Sequence, residues 1–145
     1  MDKISTAVEK FSSGFNCAQA VLSAFAANAA VPLDIAEKIA SGFGAGLGRK
    51  QETCGAVTGG CMVIGLRHFS NSDISASREA VYTKVREFMD NFTEIHATCC
   101  CRELLGVDLM TKEGQAAFTE QDMKQQKCEV YIKDAVQLLE SQYSA

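Results

Sequence analysis

Apolar residues recur at helical spacing along most of the chain. Ile4, Ala7, Val8 and Phe11 fall at i, i+3, i+4 and i+7, which places them on one face of an α-helix. The same period predicts further helices after Asn16, from Pro32 to Ile39, from about Cys54 to Phe69, from Ile74 to Phe92, after Thr98 and from about Cys128, with a weaker one between Thr111 and Gln126.

No alternating run of β-branched residues is bounded by hairpin turns, so strands are not expected. Short connections between the helices favour a compact packing. The sequence therefore predicts an all-α fold, a single cysteine-rich helical domain over residues 1–145. The helices would form either a bundle or an orthogonal array.

Glycines interrupt the pattern at every second position from Gly42 to Gly48, which predicts a loop or a strained helix exit. Successive backbone N–H groups there could form an anion-binding nest, with Arg49 and Lys50 adding positive charge. Close approach of two backbone segments is the simpler interpretation, and it is favoured because no P-loop pattern is present.

Charge and hydropathy exclude several classes of function. The net charge is −4, and Lys and Arg are not clustered, so a nucleic-acid partner is not expected. No run approaches the roughly 20 apolar residues that a membrane span needs. The first residues lack the apolar core of a signal peptide. We expect a cytoplasmic protein that is not itself inserted in a membrane.

Seven cysteines are many for a chain of 145 residues, and a reducing compartment does not favour disulfide staples. Four of them lie near predicted helix starts and head apolar stripes. The positive end of a helix favours a thiolate, so these four thiols are expected to have lowered pKa values. The four are Cys17, Cys54, Cys101 and Cys128.

The other three cysteines have different surroundings in the sequence. Cys61 lies two turns after Cys54 in the same predicted helix, roughly 10 Å along the axis, which is too far for a disulfide. We expect it in the core, where it could face the same cavity. Cys99 and Cys100 directly precede Cys101, so which thiol of this triple acts stays open.

One motif carries a family resemblance. The glycine run leads to Thr53-Cys54-Gly55-Ala56-Val57-Thr58-Gly59-Gly60. This stretch resembles the CGAxxG signature of the redox-active protein family named for the pattern C_GCAxxG_C_C. Cys17 matches the cysteine before the signature, and Cys101 and Cys128 match the two after it. The resemblance implies a four-cysteine role in redox or metal chemistry. Because members are often encoded near transporter genes, it also implies a membrane transporter as a partner.

Two chemistries follow for these four cysteines. In thiol–disulfide exchange, a thiolate attacks and a second cysteine resolves the intermediate, with no cofactor required. Cys54 is the best candidate for the reactive thiol, because it combines a helix start with the glycine motif. The protein would then be a thiol-dependent oxidoreductase. Alternatively, Cys17, Cys54, Cys101 and Cys128 ligate a metal or an iron–sulfur cluster. No C-x-x-C motif supports either chemistry locally.

Other classes of function remain open at this stage. The chain could be a metal or iron–sulfur module that serves a redox partner or a transporter, or a structural interaction protein with inert core cysteines. Gly55 and Gly59 would either let a helix pack closely or, with Cys61, leave space for a cofactor. The apolar face of the longest helix could bury a homodimer contact. His96 is a weaker candidate for a base or ligand.

Overall fold

The structure is a computed structural model that describes residues 1–144. Three quarters of the chain is helical, and no strand occurs among the described residues. The all-α prediction is therefore confirmed. In chain order the helices are α1 (Lys3–Ser12), α2 (Cys17–Ala26), α3 (Leu33–Ala40), α4 (Gly55–His68), α5 (Ile74–His96), α6 (Cys101–Leu105), α7 (Lys112–Glu120) and α8 (Glu129–Ser144).

Helix α2 lies at the centre of the packing. It begins at the predicted cap, because the Asn16 side chain accepts a hydrogen bond from Gln19 N, and the Gln19 side chain accepts one from Asn16 N. Eight of its ten residues are buried. It packs against α1, α3, α4 and α8, so both flanks of the helix are covered.

Small residues let α4 approach its neighbours closely. A Cβ added at Gly59 would lie 2.8 Å from the Ala18 carbonyl oxygen of α2. A Cβ at Gly60 would overlap the Phe88 ring of α5. Burial of Phe25, Phe88 and Phe92 supplies much of the apolar area that stabilises this core.

Neither α4 nor α6 has a side-chain cap at its start. Thr53 does not cap α4; it forms an isolated antiparallel bridge with Cys100, and Cys54 itself precedes the helix without a side-chain cap. Thr98 does not cap α6; its Oγ1 accepts a hydrogen bond from Cys100 N, 3.0 Å away. The segments around Thr53 and Cys100 pair with each other through their backbone, and neither helix start has a side-chain cap.

Cys128 does not open the last helix as expected. It closes a π-helical segment, Lys124–Cys128, that runs directly into α8. This first stretch has exposed polar residues, Gln125 and Gln126, so the apolar period gave no sign of it. Cys128 is therefore inside a longer helical run and not at its positive end.

The long helix α5 is present with Phe88 and Phe92 inward, as predicted. Ile74 at its start is exposed and is not part of the inward face, because the first turn projects beyond the core. None of the helices formed by residues 1–144 is both long enough and apolar enough to cross a membrane.

Candidate functional site

The glycine-rich segment folds as a left-handed turn. Every residue from Ala45 to Arg49 has a positive φ, between 51° and 68°. Left-handed backbone costs roughly 1–2 kcal/mol for each residue that carries a Cβ. This is the strained helix exit that the sequence predicted. At Gly46 a Cβ would lie 2.5 Å from Gln51 Cα and 2.7 Å from Cys101 Cβ, so the turn is pressed against Cys101.

Gln51 connects this turn by hydrogen bonds to residues 102–109. The side chain is buried, its Nε2 donates to the Val107 carbonyl at 2.8 Å, and its Oε1 accepts from Leu109 N at 2.7 Å. The Gln51 carbonyl also accepts a hydrogen bond from Arg102 N at 3.1 Å. Three fixed contacts therefore set the position of α6, which begins at Cys101.

Residues 52–54, which include the start of the CGAxxG motif, pair through their backbone with residues 99–101. Cys54 N donates to the Cys99 carbonyl at 2.7 Å, and Cys101 N donates to the Glu52 carbonyl at 2.6 Å. These two bonds flank the bridge between Thr53 and Cys100. The pairing holds Cys54 and Cys101, which are far apart in the sequence, next to the same space.

That space is a cavity of about 480 Å³, and the four cysteines of the family pattern all line it: Cys17, Cys54, Cys101 and Cys128. The cavity lies between the main core and a smaller apolar cluster that contains Leu105 and Leu109. Gly55 lines it as well, whereas Gly59, Cys61, Cys99 and Cys100 do not. The structure thus brings together one cysteine from each of four separate segments.

Two of these thiols, Cys17 and Cys128, interact through their side chains. The interaction with Cys128, reinforced by removal from water, holds the pKa of Cys17 well above its usual value. The interaction with Cys17 lowers the pKa of Cys128, assisted by the positive charges of Lys127 and Lys124 and opposed by burial. When one thiol of the pair ionises, the negative charge is therefore favoured on Cys128.

Burial also raises the pKa of the other two cysteines of the cavity. It raises the pKa of Cys54 to about 12, although the N–H groups of Ala56 and Val57 act against it. It raises the pKa of Cys101 to about 11, together with the charge of Cys128. The expected lowering at helix starts is therefore wrong for Cys17, Cys54 and Cys101, because removal from water and interactions with the other thiols outweigh the helix-end effect.

The remaining predicted site residues lie elsewhere. Cys61 is half-buried, and burial together with the nearby Cys99 raises its pKa to about 11. The Cys99 Sγ lies 3.4 Å from Thr93 Oγ1, away from the cavity. The contact of Gly59 with Ala18 supports a packing role for that glycine. Cys61 and Gly59 thus have no place at this cavity, while Gly55 does.

His96 does not face the thiols. Its Nε2 lies 2.8 Å from Asp134 Oδ2, and its ring packs against Phe92 and Tyr131 with centroids 4.7 and 4.8 Å apart. Its part in the site is indirect, through Tyr131.

Sequence reasoning missed Tyr131 and Lys124 as cavity residues. The Tyr131 hydroxyl donates to the Leu104 carbonyl at 3.0 Å, and burial plus the neighbouring Cys128 raises its pKa. The spacing of three residues between Cys128 and Tyr131 was the available signal, since such residues share a helix face.

The arrangement does not fit a metal site as it stands. Within the described part of the chain, no three side chains among Cys, His, Asp and Glu are grouped so that they could hold one metal ion. The four thiols line the cavity without such a grouping, so no step of the mechanism involves a metal.

Comparison with known proteins gives one result. Neither the curated proteins nor the solved structures include a match to the chain. The model of the family described as "Putative redox-active protein (C_GCAxxG_C_C)" matches residues 15–142. The match spans most of the chain and includes all four cavity cysteines. The chain therefore belongs to the C_GCAxxG_C_C family.

Proposed function

We propose that the protein is a dithiol oxidoreductase in which Cys128 attacks a disulfide substrate and Cys17 resolves the intermediate. The observation that carries this proposal is that Cys17 and Cys128 line the same cavity and interact through their side chains, which raises the pKa of Cys17 and lowers that of Cys128. A lowered pKa increases the fraction of thiolate, which is the attacking form, and the neighbouring thiol is placed to form a bond with it.

In the first step, the Cys128 thiolate attacks one sulfur of the substrate disulfide. A bond forms between Cys128 Sγ and that sulfur, the substrate S–S bond breaks, and one half of the substrate leaves as a thiolate. The charge that resided on Cys128 moves to this leaving thiolate. The Cys17 thiol can then give its proton to the leaving group.

In the second step, the Cys17 thiolate attacks Cys128 Sγ. The bond between the two cysteines forms, the mixed disulfide breaks, and the second half of the substrate leaves as a thiolate that takes a proton from solvent. Two electrons have passed from the protein to the substrate. A small dithiol or a dithiol protein would return the protein to its reduced form by the reverse exchange.

Cys128 replaces Cys54, the residue that the sequence favoured, as the attacking thiol in this proposal. The raised pKa of Cys54 keeps it protonated at neutral pH, and the same holds for Cys101. Both would remain thiols during the first oxidation and could form a second pair under stronger oxidation. The transporter partner, the homodimer and the cytoplasmic location stay predictions.

The test is oxidation of the reduced full-length protein by bis(2-hydroxyethyl) disulfide under anaerobic conditions, followed by intact-mass spectrometry. We expect a transient mixed disulfide and then a net loss of about 2 Da. Cys128→Ser should abolish the fast reaction, and Cys17→Ser should accumulate the mixed disulfide. Cys61→Ser, which removes a thiol outside the cavity, is the matched control and should react like the original protein.

The outcome that would contradict the proposal is equally specific. If Cys128→Ser reacted at the original rate, another thiol would be the nucleophile. If none of the proteins reacted, disulfide exchange would not be the function of the cavity.

A further inference from the structure

The cavity has a charge that differs from that of the whole protein. The chain has 18 acidic and 14 basic residues and a net charge of −4. The described residues that line the cavity include Arg49 and Lys124 but neither Asp nor Glu. An acidic protein therefore encloses its thiols in a cavity with a positive lining.

Both cations are placed by the fold. Arg49 is the last residue of the left-handed turn and has a φ of 67°, so the strained backbone fixes where its side chain leaves the chain. Lys124 begins the π-helical segment that carries Cys128, and its Nζ lies 5.1 Å from the centre of the Phe11 ring. Neither forms an ion pair with a carboxylate in residues 1–144.

The size of the cavity limits what can reach the thiols. A volume of about 480 Å³ lies within the range of roughly 300–1,000 Å³ that is typical of small-molecule sites. Cys128 and Cys17, the thiols of the proposed exchange, are half-buried in its wall. A small organic disulfide fits a space of this size.

We infer that the cavity selects small organic disulfides that carry negative charge, a statement that rests on the function proposed above. Arg49 and Lys124 would attract the anionic groups, and the apolar side chains of Leu104, Leu105 and Phe118 would contact the carbon chain. The reaction is the exchange already written, so each turnover consumes one anionic disulfide and releases two anionic thiols.

The test uses three small disulfides of similar size and different charge: 3,3′-dithiodipropionate, bis(2-hydroxyethyl) disulfide and cystamine. The second-order rate constant for oxidation of the reduced protein is measured for each. We expect the dianion to react about tenfold faster than the neutral compound and the dication to react most slowly. The preference should shrink as salt concentration rises.

A charge-matched pair of variants identifies the residues responsible. In Arg49→Gln/Lys124→Gln the ratio of the anionic to the neutral rate constant should fall to about one. A change in the intrinsic reactivity of the thiols affects both rate constants equally, so it cancels in this ratio. The control, Lys38→Gln/Arg86→Gln, removes the same charge from exposed positions outside the cavity lining and should keep the ratio within about twofold.

Three results would overturn the inference. The dianion could react no faster than the neutral disulfide, the cation-free variant could keep its preference, or the control could lose it equally. In each of these cases the neutral disulfide still oxidises the protein, so the proposed exchange survives. If no disulfide reacts, the proposed function and this inference fail together.

Discussion

Cys17 and Cys128 line the wall of one cavity and interact through their side chains, and this interaction shifts their pKa values in opposite directions. Cys17 lies at the start of α2, and Cys128 lies at the end of the π-helical segment. Packing of α2 against this last helical region brings them together. The distinction between the two thiols is therefore a property of the tertiary structure.

Cys128 should be the first cysteine to be alkylated. At limiting iodoacetamide and neutral pH, peptide mapping should find the label mainly on Cys128. Thiolate is the reacting form, so a lowered pKa moves the rise of the rate to lower pH than that of an ordinary cysteine. Cys54, with a pKa of about 12, should stay unlabelled under these conditions.

Replacing Cys17 tests the cause of this reactivity. Cys17→Ala removes the side-chain interaction with Cys128, so the pKa of Cys128 should rise and its rate profile should move to higher pH. Cys99→Ala, which removes a thiol outside the cavity, should leave the profile unchanged. Equal profiles in the original protein and in Cys17→Ala would refute this interaction as the cause.

The buried thiol of Cys54 should make the protein sensitive to alkali. Because the folded state holds this proton more tightly, stability is full below the unfolded thiol pKa of about 8.5. The contribution of Cys54 alone should then fall by up to about 1.4 kcal/mol per pH unit as the pH rises toward 12. Urea unfolding between pH 8 and 11 measures this slope.

The comparison variant for this prediction is Cys54→Ala. It removes the titrating group, so its free energy of unfolding should decline less steeply over the same range, whatever its absolute stability. Parallel declines in both proteins would show that Cys54 does not carry the effect.

Two glycines of α4 should respond oppositely to the same substitution. Gly59→Ala places a Cβ 2.8 Å from the Ala18 carbonyl oxygen, so α2 and α4 must separate, at a cost of roughly 1–3 kcal/mol. Gly65→Ala meets nothing within 4 Å and should stabilise the helix by roughly 0.5–1 kcal/mol. Chemical denaturation of the two variants checks this, and equal effects would argue against close packing at Gly59.

Sequence patterns could identify the helices and the cysteine set for definite physical reasons. Asn16 and Gln19 form a local capping box, which depends only on neighbouring residues. The helical spacing of apolar residues in α5 and α8 indicates which faces of these helices are buried. The motif spacing named four cysteines, and the structure places those four, and no other described cysteine, at one cavity.

The pKa order of the thiols could not be predicted in this way. It depends on burial and on the partner of each sulfur, which come from packing between distant segments. Cys54 was favoured because of its helix start, yet removal from water outweighs that effect. Cys128 does not begin a helix, contrary to the prediction. Its lowered pKa arises from Cys17 and two lysines instead.

Disulfide mapping after oxidation with one equivalent of bis(2-hydroxyethyl) disulfide identifies the pair of thiols that reacts. Remaining thiols are blocked, the protein is digested without reduction, and the linked peptides are identified by mass spectrometry. We expect one main linkage, between Cys17 and Cys128, with the other five cysteines blocked as thiols. A main linkage between any other pair, with Cys17 and Cys128 both recovered as thiols, would contradict this expectation.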